Sequence, residues 1–405
     1  MKIRIDTFAG EIPRLHPQLL PNGFAQTARN ARFDDGIVSP LRQPRLVHTF
    51  DSPVQTIYKH GTDWLGFEDQ VDIAPGPVAQ DRLYLTGFGV PKMFVDDTYY
   101  ELALPGPATA PDVTALSSPD PDLEEDVVYA YTWVTEFDEE SPPSPASDLI
   151  GWSPGVTIKV DAFATPPASR GVDRIRIYRS QTSALGVTDL YLVAEIPIAS
   201  TEYDHDLAAA PILEVIPSND YDPPDDDLDG LTPMANGMMA AFVGRRLYFC
   251  EPYRPHAWPV KYMLTVDYPI VGLVAFGSTL AVLTTGTPYI AQGAAPEVML
   301  MEKMESGQPC ISAGGIVDLG FSAAYPSHDG LVMISPSGTQ IASRNLFART
   351  DWNALRPQTF FAENYDGRYV FAYVGGETIF ELSGGEPATD YAALDTYDGG
   401  APDTA

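Results

Sequence analysis

The chain has 405 residues, 44% of them hydrophobic, with 38 prolines, 33 glycines, 21 tyrosines and 18 phenylalanines. That composition excludes a disordered chain and favours many short strands joined by tight turns over long helices. Lys and Arg number 24 against 55 Asp and Glu, a formal net charge of −31, so the surface repels phosphate backbones and anionic membranes, and tight wrapping of DNA is excluded.

Residues 1–108 alternate strand-like runs with turns. The opening MKIRIDTFAGEIPRL lacks the uninterrupted apolar core of a secretion signal, which predicts synthesis in a cytoplasm without a secretion address. Asp35-Gly36 is the first of three Asp-Gly pairs, the others being Asp329-Gly330 and Asp366-Gly367. Each precedes an apolar run, the strongest local hairpin signal, because glycine accepts a positive φ without steric cost. Residues 36–40, 54–58 and 82–86 read as strands. A proline-rich seam at 105–111 then marks a domain boundary, since proline removes backbone donors and stiffens a linker.

Residues 109–217 read as a second domain. Residues 127–135 alternate at period two, and further strands are predicted at 156–160, 174–180 and 191–196. In the strand at 174–180, Ile175 and Ile177 face one way and Arg174, Arg176 and Tyr178 the other. Several strands at short spacing over about 100 residues indicate a β-sandwich. Glu139-Glu140 and Glu124-Glu125-Asp126 contain the carboxylate pairs that a sugar hydrolase needs. Such work requires burial or a neighbour to split the two pKa values, and in turns rich in proline and serine these side chains are expected to be hydrated.

Residues 218–405 begin with an acidic link. Asp225, Asp227, Asp229 and Gly230 match positions 1, 3, 5 and 6 of a calcium loop, but Asn236 stands at position 12, where a bidentate glutamate is required. A hydrated linker is the expectation. Turn glycines then recur at 244, 277, 330 and 367, separated by 33, 53 and 37 residues. Hairpin units repeated at roughly 40-residue spacing are the signature of propeller blades. Trp258 reads as a buried blade residue, because no lysine or arginine cluster accompanies it as at a base-stacking site.

No residue pattern carries chemistry. The six histidines, His16, His48, His60, His205, His256 and His328, show no HxxxH or HExxH spacing, and each reads as a surface or turn histidine. Cys250 and Cys310 have no CxxC partner, so no zinc framework exists, and a disulfide between them stays open. There is no GxSxG, P-loop or GxGxxG. The expectation is a non-enzyme with no catalytic, cofactor-binding or metal-binding residues. No apolar run reaches about 18 residues, so no membrane-spanning helix is expected.

Residues 129–132 (Tyr-Ala-Tyr-Thr), 139–144 (Glu-Glu-Ser-Pro-Pro-Ser) and 174–179 (Arg-Ile-Arg-Ile-Tyr-Arg) carry a resemblance to the fibronectin type III-like modules of phage virion proteins, over about a quarter of the chain. More widely, the chain resembles the tail nozzle, or hub, proteins of short-tailed bacteriophages. That resemblance rests on residues 19–32 (LLPNGFAQTARNAR), 34–40 (DDGIVSP), Gly244-Arg245-Arg246-Leu247-Tyr248-Phe249 and Trp258-Pro259.

The resemblance implies an all-β, propeller-like platform (1–108 and 218–405) with an inserted immunoglobulin- or fibronectin III-like sandwich (109–217). It implies a virion structural protein of the tail, assembled as a homohexameric ring below the portal and adaptor. Tail fibres or spikes would attach outside, and DNA would pass transiently and non-specifically through the channel. An acidic lumen would let the duplex slide. Two other classes stay open: a propeller lectin or adhesin binding host glycans, and a glycan hydrolase on the same fold. If the platform ring closes by strand pairing between the chain ends, residues 36–40 pair with strands of the C-terminal half and hide edges that invite aggregation.

Overall fold

The computed structural model describes residues 7–28, 31–40, 45–79, 81–182, 188–206 and 214–374, together with the backbone of Tyr391–Asp395. The protein is all-β: one α-helix, Arg349–Ala354, occurs among the described residues, and it has six residues.

After the N-terminal arm, a hairpin of Thr56–His60 and Asp63–Phe67 leads the array. Four antiparallel meanders follow in chain order. The first comprises Asp72–Pro75, Leu83–Thr86, Lys92–Val95 and Thr98–Glu101. The second comprises Asp229–Pro233, Met239–Val243, Arg246–Phe249 and Leu264–Thr265. The third comprises Ile270–Phe276, Thr279–Thr284, Tyr289–Gln292 and Leu300–Lys303. The fourth comprises Val317–Asp318, Ala323–Ser327, Gly330–Ser335 and Gly338–Ile341. A fifth, three-stranded sheet comprises Phe361–Tyr365, Arg368–Val374 and Tyr391–Asp395.

The first strands of successive sheets lie side by side from the first meander to the fifth sheet. A separate apolar cluster fills each junction. Phe67, Leu83 and Phe94 lie between hairpin and first meander, and Tyr84, Met239 and Trp258 between first and second. Phe249 and Val282 follow between second and third, Leu283 and Tyr325 between third and fourth, and Phe360 and Phe371 between fourth and fifth. Each fully buried Leu, Val or Phe contributes about 1.5–3 kcal/mol. Four-stranded meanders packed face to face in series are the building pattern of propeller blades.

Tight turns set the registers. Asp366 and Gly367 both have positive φ, at 54° and 76°, between Tyr365 and Arg368, as a type I′ turn requires. Asp96 and Asp97 do the same between Val95 and Thr98 with no glycine at all, using the tolerance of aspartate for the left-handed region.

The sandwich lies between the first and second meanders in sequence. One sheet is Asp112–Ala115, Thr157–Asp161 and Glu202–Asp206; the other is Tyr129–Thr135, Val172–Thr182 and Thr188–Pro197. Its core includes Tyr131, Trp133, Ile158, Val160, Ile175 and Ile177. The predicted strand at 127–135 is broken at Val128, into Glu125–Val127, which pairs with Ile150–Trp152, and Tyr129–Thr135.

The N-terminal arm corrects the expected pairing of residues 36–40. Asp34–Gly36 is a single 3₁₀ turn, and Ser39–Pro40 pairs with Ala31–Arg32 inside the arm. Among the described residues the arm meets the C-terminal half through side chains. Arg32 bonds Asp366 at 3.1 Å, and Arg368 pairs with Asp34.

Candidate functional site

The first strands converge on a cavity of about 510 Å³. Its charged lining residues among those described are Asp72, Asp229, Asp318 and Glu363, all acidic, each delivered by the first strand of a different sheet. The third meander contributes Gly272 and its apolar neighbours.

Asp72 and Asp229 act as a pair. The Gly230 N–H donates to Asp72 Oδ2 at 3.2 Å, and the Leu231 N–H donates to Thr86 Oγ1 at 3.1 Å, which sews the second meander to the first. Burial, and then the charge of Asp229, push the Asp72 carboxyl up to about 7, while the Gly230 N–H pulls the other way. Two neighbouring carboxyls cannot both ionise cheaply, so the pair holds a proton near neutral pH. Among the described residues no three His, Cys, Asp or Glu side chains cluster closely enough to hold a metal ion.

A second polar constellation lies where the sandwich docks on the meanders. Arg170 is fully buried. Its Nη1 donates to the Glu101 carbonyl at 2.7 Å, on the first meander, and its Nη2 pairs with Glu139 of the sandwich. His256, which follows the second meander's third strand, shares a 3.0 Å hydrogen bond between Nε2 and the Glu140 carbonyl and sets Nδ1 3.8 Å from Glu139 Oε1. Glu140 Oε1 accepts from Thr132, Tyr178 and Ser218 at 2.9, 2.6 and 3.2 Å, and Glu140 Oε2 accepts from Arg176 at 2.8 Å. Burial holds the His256 imidazole down to about 4 against the opposing pull of Glu139, so the ring is neutral at pH 7.

Glu139 and Glu140 therefore differ from the sequence reading. Both are buried, because the Pro/Ser-rich turn that carries them is wedged between sandwich and meander rather than facing water. Glu139 Oε2 is held by Arg170, and the Glu140 oxygens by Arg176 and three hydroxyls.

His205 and His256 are likewise core residues, not surface or turn ones; His16, His48 and His328 are exposed and His60 is half-buried. Cys250 and Cys310 are free, each within a different junction cluster, and burial pushes both thiols up to about 12. Trp258 is buried as expected, donating from Nε1 to the Pro255 carbonyl at 2.7 Å. In the acidic link Asp226, Asp227 and Asp229 are exposed and Asp225 is half-buried, and Asp229 and Gly230 also open a strand and line the cavity.

The Asp72–Asp229 pair was missed because its members are 157 positions apart, on either side of the sandwich. Among the described residues no helix is long and apolar enough to cross a membrane.

No protein-family model and no curated protein matches the chain. Among solved structures it is similar to PorZ, an essential bacterial surface component of the type-IX secretion system of Porphyromonas gingivalis, at 10% identity and a TM-score of 0.25. That match covers 81% of this chain and 37% of PorZ, so this chain spans little more than a third of PorZ's length. It is also similar to virginiamycin B lyase from Staphylococcus aureus, at 8% identity and a TM-score of 0.24, covering 76% of this chain and 96% of the lyase. Similarity at these TM-scores carries no argument about activity or partners.

Proposed function

We propose that this chain is a non-enzymatic structural protein of a phage virion, a tail nozzle or hub component. In this reading the serial meanders form a propeller platform, and several copies, six by the resemblance, assemble into a ring between the head-to-tail adaptor and the distal tail parts. The observation that carries the reading is how the sandwich is mounted. Although more than 100 residues of sequence separate the first meander from the second, their first strands lie side by side. The inserted sandwich is fixed to both by the buried Arg170, Glu139 and His256 constellation. A rigidly mounted module on a continuous platform suits a part that transmits load and holds neighbours in register.

The charge supports a passage for DNA. A net charge of −31 keeps phosphate from sticking. The subunit's own cavity is not that passage. A volume of about 510 Å³ is a cube about 8 Å on edge, smaller than a duplex whose major groove alone is about 12 Å wide. The channel of this proposal lies between copies.

Multi-angle light scattering of the purified chain, across a concentration series, tests the reading alongside a glycan array and a reducing-end assay. A ring-sized or assembly-dependent oligomer without glycan binding is expected. A monomer that binds sugar points to an adhesin, and one that releases reducing ends points to a hydrolase; either result overturns the proposal.

A further inference from the structure

The two ends of the array meet without a packed core. On Thr56–His60, Tyr58 joins the cluster shared with the first meander, so the strand's alternation turns Ile57 to the other side, where it is 54% exposed. On Arg368–Val374, Tyr369, Phe371 and Tyr373 pack toward the fourth meander, so Val370, Ala372 and Val374 face away from it. Phe361, on the neighbouring strand, is 40% exposed. These faces border one cavity of about 590 Å³, lined by Thr56, Ile57 and Val71 on one side and Phe361, Val370 and Ala372 on the other. Among the described residues no apolar cluster draws on both the hairpin and the fifth sheet, whereas each of the other junctions has one.

The N-terminal arm reaches across this junction through polar side chains. Arg32 meets Asp366 at 3.1 Å, Arg368 pairs with Asp34, and Arg14 donates to the Arg344 carbonyl. On the other side, residues 45–55 tie the arm to the hairpin: Phe50 and Val54 close over Gly66, and His48 stacks on Trp64 at 5.9 Å. The ion pairs are wet. A second cavity, of about 550 Å³, lies between Arg32 and Phe33 of the arm and the Asp366–Arg368 turn, and the Asp34 and Asp366 side chains are 49% and 66% exposed. Exposed ion pairs weaken as salt rises, and apolar burial does not. A junction with little apolar burial and exposed charges across it opens before the packed ones do.

We propose that the arm is a strap, that it holds the array closed at this one junction by charge, and that the junction opens and recloses while the others stay packed. Arg32 with Asp366 and Arg368 with Asp34 set how often it opens. Opening frees the apolar faces around Ile57, Phe361 and Val370 together. The inference does not depend on the virion reading.

Thiol labelling of the full chain carrying Val71→Cys tests it, read site by site by mass spectrometry. Val71 is 5% exposed and lines the junction, while the native thiols Cys250 and Cys310 are buried in two other junctions and serve as references in the same molecule. Val71→Cys should react faster than either. Raising sodium chloride from about 0.05 M to about 1 M should speed it several-fold without speeding the native thiols. Adding Asp34→Asn and Asp366→Asn should speed it about tenfold at the lower salt and abolish the salt effect. The salt series on Val71→Cys alone decides the matter even where the added substitutions prevent folding. Three thiols reacting at one rate, or Val71→Cys labelling indifferent to salt or to loss of the two carboxylates, overturns the proposal.

Discussion

Replacing Arg170 by Met removes the side chain that joins the Glu101 carbonyl of the first meander to Glu139, and the size of the effect follows from burial. Arg170 is fully buried and Glu139 nearly so. Without the guanidinium, the Glu139 carboxylate stays buried and uncompensated, which costs about 3–5 kcal/mol. The Glu101 carbonyl also loses a 2.7 Å charge-assisted hydrogen bond, worth about 1.5–3 kcal/mol. Together they come to roughly 5–8 kcal/mol, more than a thousandfold in the docking equilibrium at about 1.4 kcal/mol per tenfold.

Arg32→Met provides the contrast. Its partner Asp366 is 66% exposed, and an ion pair of that kind contributes about 0–1 kcal/mol. The assay is urea unfolding, joined to limited proteolysis of the two links, residues 105–111 and 218–228. Arg170→Met should unfold at lower urea and be cut in the links, whereas Arg32→Met should match the parent. Adding Glu139→Gln to Arg170→Met should restore more than half of the loss, since the stranded charge is gone. A single variant within 1 kcal/mol of the parent, or a double variant no better than the single, refutes the reasoning.

Three further outcomes follow from the same structure. His256 and His205 are both held down to about 4 from an ordinary 6.5. Their contribution is full above pH 6.5 and is lost as pH falls through 4, by about 3 kcal/mol each; His256→Gln and His205→Gln should each flatten part of the acid limb of a urea-midpoint-against-pH curve. Asp72 has the opposite sign: its raised carboxyl stabilises the protonated fold, a contribution present below pH 4 and lost as pH rises through about 7. Asp72→Asn should therefore melt higher than the parent at pH 8 and no higher at pH 4, read by calorimetry. Gly230→Ala should destabilise by about 2–4 kcal/mol in urea, because φ is +69° and the new Cβ would lie 2.2 Å from the Phe242 ring.

The sequence carried the local geometry well. Turn glycines at 244, 277, 330 and 367 stand at the tips of successive meanders, and the alternation of Ile175 and Ile177 against Arg174 and Arg176 holds in the sandwich. Signals local in the chain are legible because turn chemistry and side-chain period act over a few residues. The hairpin at Asp96-Asp97 was overlooked because no glycine marks it. Burial of Glu139, Glu140, His205 and His256 was not legible, since it arises from docking two domains and closing two sheets. The Asp-Gly at 35–36 shows the limit of a local signal, giving a 3₁₀ turn in an arm rather than a strand in the array.

The proposal that copies of this chain form a ring around a DNA passage is tested most directly by cryo-electron microscopy of the purified full-length protein with and without short duplex DNA. The account predicts closed six-fold rings whose lumen admits a duplex without retaining it at physiological salt. Single particles at every concentration, or rings with a lumen lined by Lys and Arg that bind the duplex tightly, would contradict it.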